Sequence, residues 1–130
     1  MTLLEDIIAY LVGLNLVAGE GVDAFRDFVP DEPDNVVCLY EYTGDPVSRY
    51  SDAVHRSVQV IVRNKSAAKA QSLAKELLSA FRQSDGALRI DFTPSRWGQV
   101  HVRQTPHKIK QDERDRTQYG FNLGITTTFE

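Results

Sequence analysis

The stretch at residues 57–82, SVQVIVRNKSAAKAQSLAKELLSAFR, decides the fold because its apolar pattern changes from strand spacing to helix spacing within a few residues. Val58, Val60 and Val62 fall on one face of a strand, and Gln59 falls on the other. The branched side chain of valine favours extended backbone. The next apolar residues recur at helical spacing: Ala70, Leu73, Ala74, Leu77, Leu78 and Phe81. The sequence therefore predicts a β-strand followed directly by an amphipathic α-helix.

Both ends of this helix carry sequence signals. Ser66 is the predicted N-cap, because its hydroxyl group can accept a hydrogen bond from a free amide of the first turn. Arg82 suits the negative end of the helix dipole, and Gly86 marks the stop.

A second helix is predicted at the N-terminus, where Thr2 and Glu5 form a capping box. We expect this helix to end near Leu14 or Asn15. Its polar face lacks the lysines of a membrane-surface helix, so packing on the core is favoured over a membrane or partner role. The apolar positions share one face: Leu3, Leu4, Ile7, Ile8, Leu11 and Leu14.

The residues between the two helices alternate between strand and turn signals. Residues 22–29 suit either a short strand or a turn of helix, and we favour the strand. Residues 31–35 have the composition of a turn. Residues 36–40 form a nearly continuous apolar run, which is typical of a strand in the middle of a sheet. Residues 45–56 lack periodicity and predict a long loop, a class of segment that is often functional.

The C-terminal third of the chain predicts three further strands. Residues 87–92 and 100–103 alternate between apolar and polar side chains. The strands that begin near Gln99 and Thr117 are expected to pair as an antiparallel hairpin, with the charged segment Lys108–Arg116 as its tip. The last strand has the longest apolar alternation: Tyr119, Phe121, Leu123, Ile125 and Phe129.

Together these elements predict an α+β fold in a single domain spanning residues 1–130. Two helices pack on one face of a mainly antiparallel sheet of five or six strands, and a long β-hairpin forms the C-terminal end. A chain of 130 residues can bury a sizeable core. Its contents of 42% hydrophobic and 25% charged residues are those of an ordinary soluble domain.

The charge balance disfavours a protein that grips nucleic acid over a wide surface. The formal net charge is −3 and the pI is about 5.6, whereas phosphate-binding proteins usually present a basic surface. A nucleic-acid-binding α+β module is still the main alternative, and it requires Arg89, His101, Arg103 and Trp97 to lie together on an open sheet face. Trp97, next to Arg96, either stacks on a base or covers the end of the sheet, and we favour the cover.

The sequence contains no recognised catalytic or nucleotide-binding motif. His101, His107 and Asp112 are candidate metal ligands, but their spacing matches no usual zinc pattern. Cys38 lies in an apolar run and is interpreted as a small buried hydrophobe. We therefore predict that the protein is not an enzyme and binds no cofactor or metal. A small enzyme or ligand-binding domain is a third, less favoured interpretation, and it requires a deep apolar pocket.

Several short motifs of this chain occur in a fixed order. They are Pro30-Asp31-Glu32-Pro33-Asp34-Asn35, Leu39-Tyr40-Glu41-Tyr42, Gly44-x-Pro46, Val58-Gln59-Val60-Ile61-Val62-Arg63, and the helix that contains Ala67, Ala70, Leu77 and Leu78. In these motifs and in the order of its elements, the chain resembles the tail-terminator and head–tail joining proteins of long-tailed bacteriophages. It is especially similar to the group labelled phage minor capsid protein.

The resemblance implies a non-enzymatic virion protein of a phage or prophage, made in the bacterial host cytoplasm. Such proteins form a hexameric ring at the head-proximal end of the tail, which stops growth of the tail tube and docks to the head connector. The implied partners are further copies of the chain, the major tail tube protein and a head-completion or connector protein. Genomic DNA passes through such a ring without sequence-specific binding, and no membrane takes part.

A closed ring needs two different contact patches on each subunit, joined head to tail. The loop predicted at residues 45–56 and the charged hairpin tip offer two such patches. Alternating charges at the tip suit a protein contact or a solvated loop. The hypothesis assigns subunit or tail-tube contacts to six residues of these segments: Arg49, Tyr50, His55, Lys110, Glu113 and Arg114.

Overall fold

The structure is a computed structural model that describes residues 2–42, 53–82 and 89–128. Within these ranges the chain forms two helices and seven strands, so the fold is α+β as predicted. In chain order they are α1 (Leu3–Gly13), β1 (Ala24–Arg26), β2 (Val36–Tyr42), β3 (Ala53–Asn64), α2 (Ala67–Phe81), β4 (Arg89–Thr93), β5 (Arg96–Val102), β6 (His107–Gln111) and β7 (Thr117–Thr128). The predicted stop at Gly86 lies outside the described residues.

Both helices begin where the sequence predicts. The Thr2 hydroxyl accepts a hydrogen bond from the Glu5 backbone amide at 3.3 Å, and the Ser66 hydroxyl accepts one from the Lys69 amide at 3.3 Å. Each bond satisfies one amide that the first helical turn leaves without a partner. The two N-cap predictions are therefore confirmed.

The strands form one sheet in the order β1-β2-β3-β7-β5-β4, and β6 pairs with β7 beyond the end of β5. The six strands of the main path match the upper end of the predicted count, and β6 is a seventh strand. The sheet is also mixed, because β1 runs parallel to β2 while the other strand pairs are antiparallel. The strand predicted in residues 22–29 is present as β1. It runs parallel to β2 because residues 27–35 carry the chain back to the start of β2.

The longest pairing joins β3 to β7 and forms the centre of the sheet. It runs in unbroken register from Ala53 opposite Thr128 to Asn64 opposite Thr117. The predicted loop at residues 45–56 is therefore too long, since residues 53–56 are strand and owe that conformation to hydrogen bonding with the end of β7. Residues 43–52 lie outside the described residues.

The predicted C-terminal hairpin is confirmed, because β5 and β6 both pair antiparallel with β7. Its tip is shorter than the predicted segment Lys108–Arg116, because Lys108 and Lys110 lie within β6. All side chains of β6 are exposed, so its backbone pairs with β7 without any apolar alternation in the sequence.

Side chains of both helices join one hydrophobic cluster with alternate residues of the sheet. We call this side of the sheet the helix side and the opposite side the open face. A smaller cluster on the open face joins Val36, Cys38 and Ile61 to Phe25, Val29 and Tyr40. The sheet residues of the larger cluster include Val37, Leu39, Val58, Val60, Val62, Phe121, Leu123 and Ile125.

A buried ion pair fastens α1 to β5. The Arg96 Nε atom donates to the Asp6 Oδ2 atom at 3.0 Å, and both residues are less than 10% exposed, at 8% and 4%. Within the described residues, neither helix is long and apolar enough to cross a membrane.

Candidate interaction surfaces

The hairpin tip is fastened to the acidic turn at residues 31–34. We call the residues that make this connection the tip–turn brace: Asp31, Asp34, Arg63, Asp112, Arg114 and Arg116. In its exposed part, the Arg114 Nη2 atom lies 3.0 Å from the Asp31 Oδ2 atom. Because the two side chains are 51% and 73% exposed, solvent screens this pair and it contributes little stability.

Arg116 forms the buried part of the tip–turn brace and is only 5% exposed. Its Nε atom donates to the Asp112 Oδ2 atom at 2.7 Å, and its Nη1 atom donates to the Asp31 carbonyl oxygen at 2.5 Å. A buried guanidinium is tolerated only when its charge is paired and its donors are satisfied. The contacts of Arg116 meet both conditions.

Arg63 holds the same turn from the sheet. Its guanidinium donates to the carbonyl oxygens of Pro33 at 2.6 Å and Asp34 at 3.0 Å, and more weakly to that of Asp31 at 3.4 Å. Burial, followed by the charge of the neighbouring Arg116, lowers the pKa of Arg63. The two buried arginines therefore bind the backbone of the turn, and their donors are not directed towards an external ligand.

Asp112 closes the tip by accepting hydrogen bonds from its own segment. Its Oδ1 atom accepts from the backbone amides of Arg114 at 2.9 Å and Arg116 at 3.0 Å. Desolvation raises the pKa of Asp112, but these amides and the Arg116 side chain outweigh it, so the pKa lies below its usual value of 3.8. The carboxylate is thus held in its charged form.

The structure places the predicted contact residues at two ends of the sheet. Glu113 and Arg114 lie in the tip. Lys110 lies in β6, opposite Gln118, so Lys110 is a strand residue and not a tip residue. His55 lies in β3 and not in a loop, where its Nδ1 atom is 2.6 Å from the Thr126 hydroxyl. Arg49 and Tyr50 lie outside the described residues.

These two ends are far apart along β7. Lys110 is opposite Gln118 and His55 is opposite Thr126, which are eight positions apart. At about 3.3 Å per residue, the separation is about 26 Å. The structure therefore does not bring His55 together with the tip residues within one subunit.

The open face has glycines where side chains from the neighbouring strand cross the sheet. A Cβ atom at Gly120 would lie 2.6 Å from Ile109 Cδ1, and one at Gly124 would lie 2.8 Å from Arg103 Nε. Each glycine therefore leaves room for a side chain that lies flat on β7. This explains the alternation of glycine and polar residues that the last strand shows in the sequence.

The four nucleic-acid candidates lie on this same face. Trp97 and His101 alternate along β5 and share a face with Gln99, which pairs with Arg89 of β4 and Thr126 of β7. The Arg89 guanidinium carbon lies 5.2 Å from the centroid of the Trp97 ring. The ring thus packs against Arg89 of the edge strand β4, and its role as a cover for the end of the sheet stays a prediction.

An open groove of about 560 Å³ lies on the open face between residues 29–31 and β6. Its lining mixes apolar Ile61 and Ile109 with polar Gln59 and Gln118. A ligand-binding domain of the kind considered as a third reading requires a deep apolar pocket, and this groove lacks that character.

The structure separates the two histidines among the candidate metal ligands. His101 is opposite Gly124 and His107 is opposite Gly120, so they lie about 13 Å apart along β7. In the described part of the chain, no cluster of His, Cys, Asp and Glu has the arrangement of a metal site. Cys38 is fully buried, and burial raises the pKa of its thiol to about 11.

Sequence reasoning missed the buried members of the tip–turn brace. Arg116 ends a run of alternating charges, and such a run normally indicates a solvated segment. Strand alternation puts Arg63 on the face opposite the valines, but its partners are backbone carbonyls about 30 residues away, and the pattern of side chains does not indicate such partners. The one sequence signal for these buried arginines was the acidic, proline-containing turn at residues 31–34, because clustered carboxylates favour nearby cations.

One comparison with known proteins identifies a family. A family model described as bacteriophage tail terminator protein matches residues 11–129, which is nearly the whole chain. The curated proteins contain no match to this sequence. The matched span includes the sheet, helix α2 and the tip–turn brace.

Proposed function

Because the chain belongs to the bacteriophage tail terminator family, as its motifs predicted, we propose that it forms a hexameric ring that ends the tail tube and docks to the head connector. The family makes it a structural protein of the phage tail. The ring, its partners and the residues that form its contacts are the content of the proposal.

The observation that carries the proposal is the presence of two unlike surfaces on one subunit. One is the hairpin tip, which presents the exposed charges of Lys110, Glu113 and Arg114 on a base held by buried Arg116. The other is the opposite end of the β3–β7 pair, where His55 is exposed. Head-to-tail contacts between unlike surfaces generate a closed ring when the rotation between neighbours closes.

The rigidity of the tip supports a role in contact formation. A surface that is ordered before binding loses less conformational entropy when the partner arrives. The Arg116 and Arg63 contacts order the base of the tip in the isolated subunit, while Glu113 stays exposed. In this proposal the tip meets the neighbouring subunit or the major tail tube protein, and no residue has a catalytic role.

Exchanging the charges of the tip tests the proposal. The variant Glu113→Lys with Arg114→Glu keeps the net charge, and we expect it to abolish ring formation or the ending of tubes during tail assembly. Reversed charges at a contact repel the partner that the native charges attract. The readout is the length distribution of tails seen by negative-stain electron microscopy in a strain that lacks the native protein.

The matched control exchanges two exposed charges on α2, Lys75→Glu with Glu76→Lys, and also keeps the net charge. Both variants must show the far-UV circular dichroism spectrum of the native protein. Tails of normal length with the tip variant would contradict the assigned contact. Defects with both variants would indicate that the assembly depends on charge in general and not on the tip.

A further inference from the structure

We propose that the open face, at the end of the sheet away from the hairpin tip, binds the phosphate backbone of duplex DNA without reading its sequence. The residues concerned are Arg89, Arg103, His101 and Tyr42. This binding activity belongs to the single subunit, so it goes beyond the proposed ring and is tested without it.

The strand register sets Arg89, His101 and Tyr42 in two adjacent rows on one face, and Arg103 lies over Gly124 of the second row. The first row crosses four strands, from Arg89 through Gln99 and Thr126 to His55. The second row crosses from His101 through Gly124 and Ser57 to Tyr42. Neighbouring strands lie about 4.8 Å apart, so each row spans about 14 Å and the two rows are about 7 Å apart.

These rows contain no carboxylate, although the chain as a whole is acidic with a net charge of −3. Beside them, Asp91 pairs with Arg89 at 3.0 Å, and both of these side chains are more than 60% exposed. Solvent-exposed pairs of this kind exchange partners at little cost. The acidic residues of the described chain that meet cations lie mainly elsewhere, in α1, in the acidic turn and in the tip.

Arg103 is the cation best placed for an external anion. Its guanidinium lies flat over Gly124, and its Nη1 atom donates to the Ser57 hydroxyl at 2.7 Å. Ser57 is a neutral acceptor, so this bond fixes the position of Arg103 without compensating its charge. By contrast, Arg56 and Arg96 each contact a carboxylate, those of Glu41 and Asp6.

The chemistry of the face fits phosphates better than bases. Single-strand binders stack bases on free aromatic rings. Here the Trp97 ring packs against the Arg89 guanidinium at 5.2 Å, so stacking on this side would displace the cation. Guanidinium, imidazole, amide and hydroxyl groups are the groups that contact phosphate oxygens, and these contacts carry no sequence information. We therefore commit to the duplex backbone as the partner.

The test measures DNA retention by the purified protein as salt is varied. Two phosphate contacts predict a slope of about −2 for the logarithm of the binding constant against the logarithm of salt concentration. The binding constant should fall about tenfold between about 50 and 200 mM salt. Arg103→Gln should reduce the slope by about one unit, because it removes one phosphate contact.

Two further variants separate charge from structure. Arg103→Lys keeps the charge but changes the bond to Ser57, and we expect it to keep most of the salt slope. The matched control, Lys69→Gln with Lys75→Gln, removes two positive charges from exposed positions on α2, which packs on the helix side. It should leave retention unchanged.

Three results would overturn the inference. The first is a wild-type protein that shows no salt-dependent retention of duplex DNA. The second is an α2 control that weakens retention as much as Arg89→Gln with Arg103→Gln does. The third is a clear preference for a single strand of the same sequence, which would indicate base stacking. Failure of the ring proposal is a separate result, since it is measured on tail length.

Discussion

At the scale of single residues, glycines fix how closely side chains approach the sheet. Gly98 in β5 points to the helix side, where an added Cβ atom would lie 2.7 Å from Phe92 Cε2 and 3.0 Å from Ile125 Cγ2. Phe92 and Ile125 are both buried in the main cluster, at 5% and 1% exposure, so neither can move away freely. The position therefore requires a residue without a side chain.

We expect Gly98→Ala to reduce the free energy of unfolding by about 1–3 kcal/mol, because the added methyl group overpacks the core. Gly13, the last residue of α1, has no heavy atom within 4 Å of an added Cβ atom. Gly13→Ala is therefore the control, and it should be neutral or stabilising by up to about 1 kcal/mol. Urea unfolding of both variants checks the prediction, and equal effects would contradict the close packing at Gly98.

At the scale of elements, helix α2 is the part of the fold that its own sequence specifies most completely. The apolar positions predicted from helical spacing include Ala70, Ala74, Leu77 and Phe81, and all four are buried. Its N-cap is also where the sequence placed it. Local periodicity and capping agree here, and elements with such agreement can be read without knowledge of the tertiary structure.

Leu77 is the test of how much this helix contributes to the core. Its side chain is fully buried, so Leu77→Ala should cost about 2–5 kcal/mol of unfolding free energy through lost burial and a residual cavity. Lys75→Ala lies on the exposed side of the same helix and should change stability by less than about 0.5 kcal/mol. Thermal unfolding measures both, and a Leu77 variant as stable as the control would remove α2 from the core.

At the scale of the whole molecule, prediction from sequence failed where long-range backbone contacts decide the structure. The strand β6 has only exposed side chains, so nothing in its pattern distinguishes it from a charged loop. The parallel direction of β1 depends on the path of the following residues. The Arg116 contact with the Asp31 carbonyl oxygen joins residues 85 positions apart.

For the candidate surfaces too, the sequence predicted the local features and missed what depends on long-range contacts. The sequence named Glu113 and Arg114 correctly as tip residues, since a charged segment between two alternating strands indicates a hairpin end. It also named Arg89, Trp97, His101 and Arg103 as the residues that a nucleic-acid surface would use. Whether they share a face depended on the pairing of β5 with β4 and β7, which only the register of the sheet supplies.

The tip–turn brace joins parts of the chain that are distant in sequence, so its loss should be visible in the pH dependence of global unfolding. The folded protein holds the pKa of Asp112 below its usual value of 3.8, mainly through hydrogen bonds from Arg116 and Arg114 that outweigh desolvation. A carboxyl group with a depressed folded pKa contributes stability above its unfolded pKa, and that contribution is lost as the pH falls through the folded pKa.

Asp112→Asn should therefore lower the melting temperature at neutral pH, and its difference from the wild type should shrink as the pH falls below 3.8. Asp115→Asn removes the same charge from the same tip, and within the described residues no side-chain contact holds that carboxylate. Melting curves at a series of pH values measure both variants, and a difference from wild type that does not change with pH for Asp112→Asn would contradict the role of its charge in the tip–turn brace.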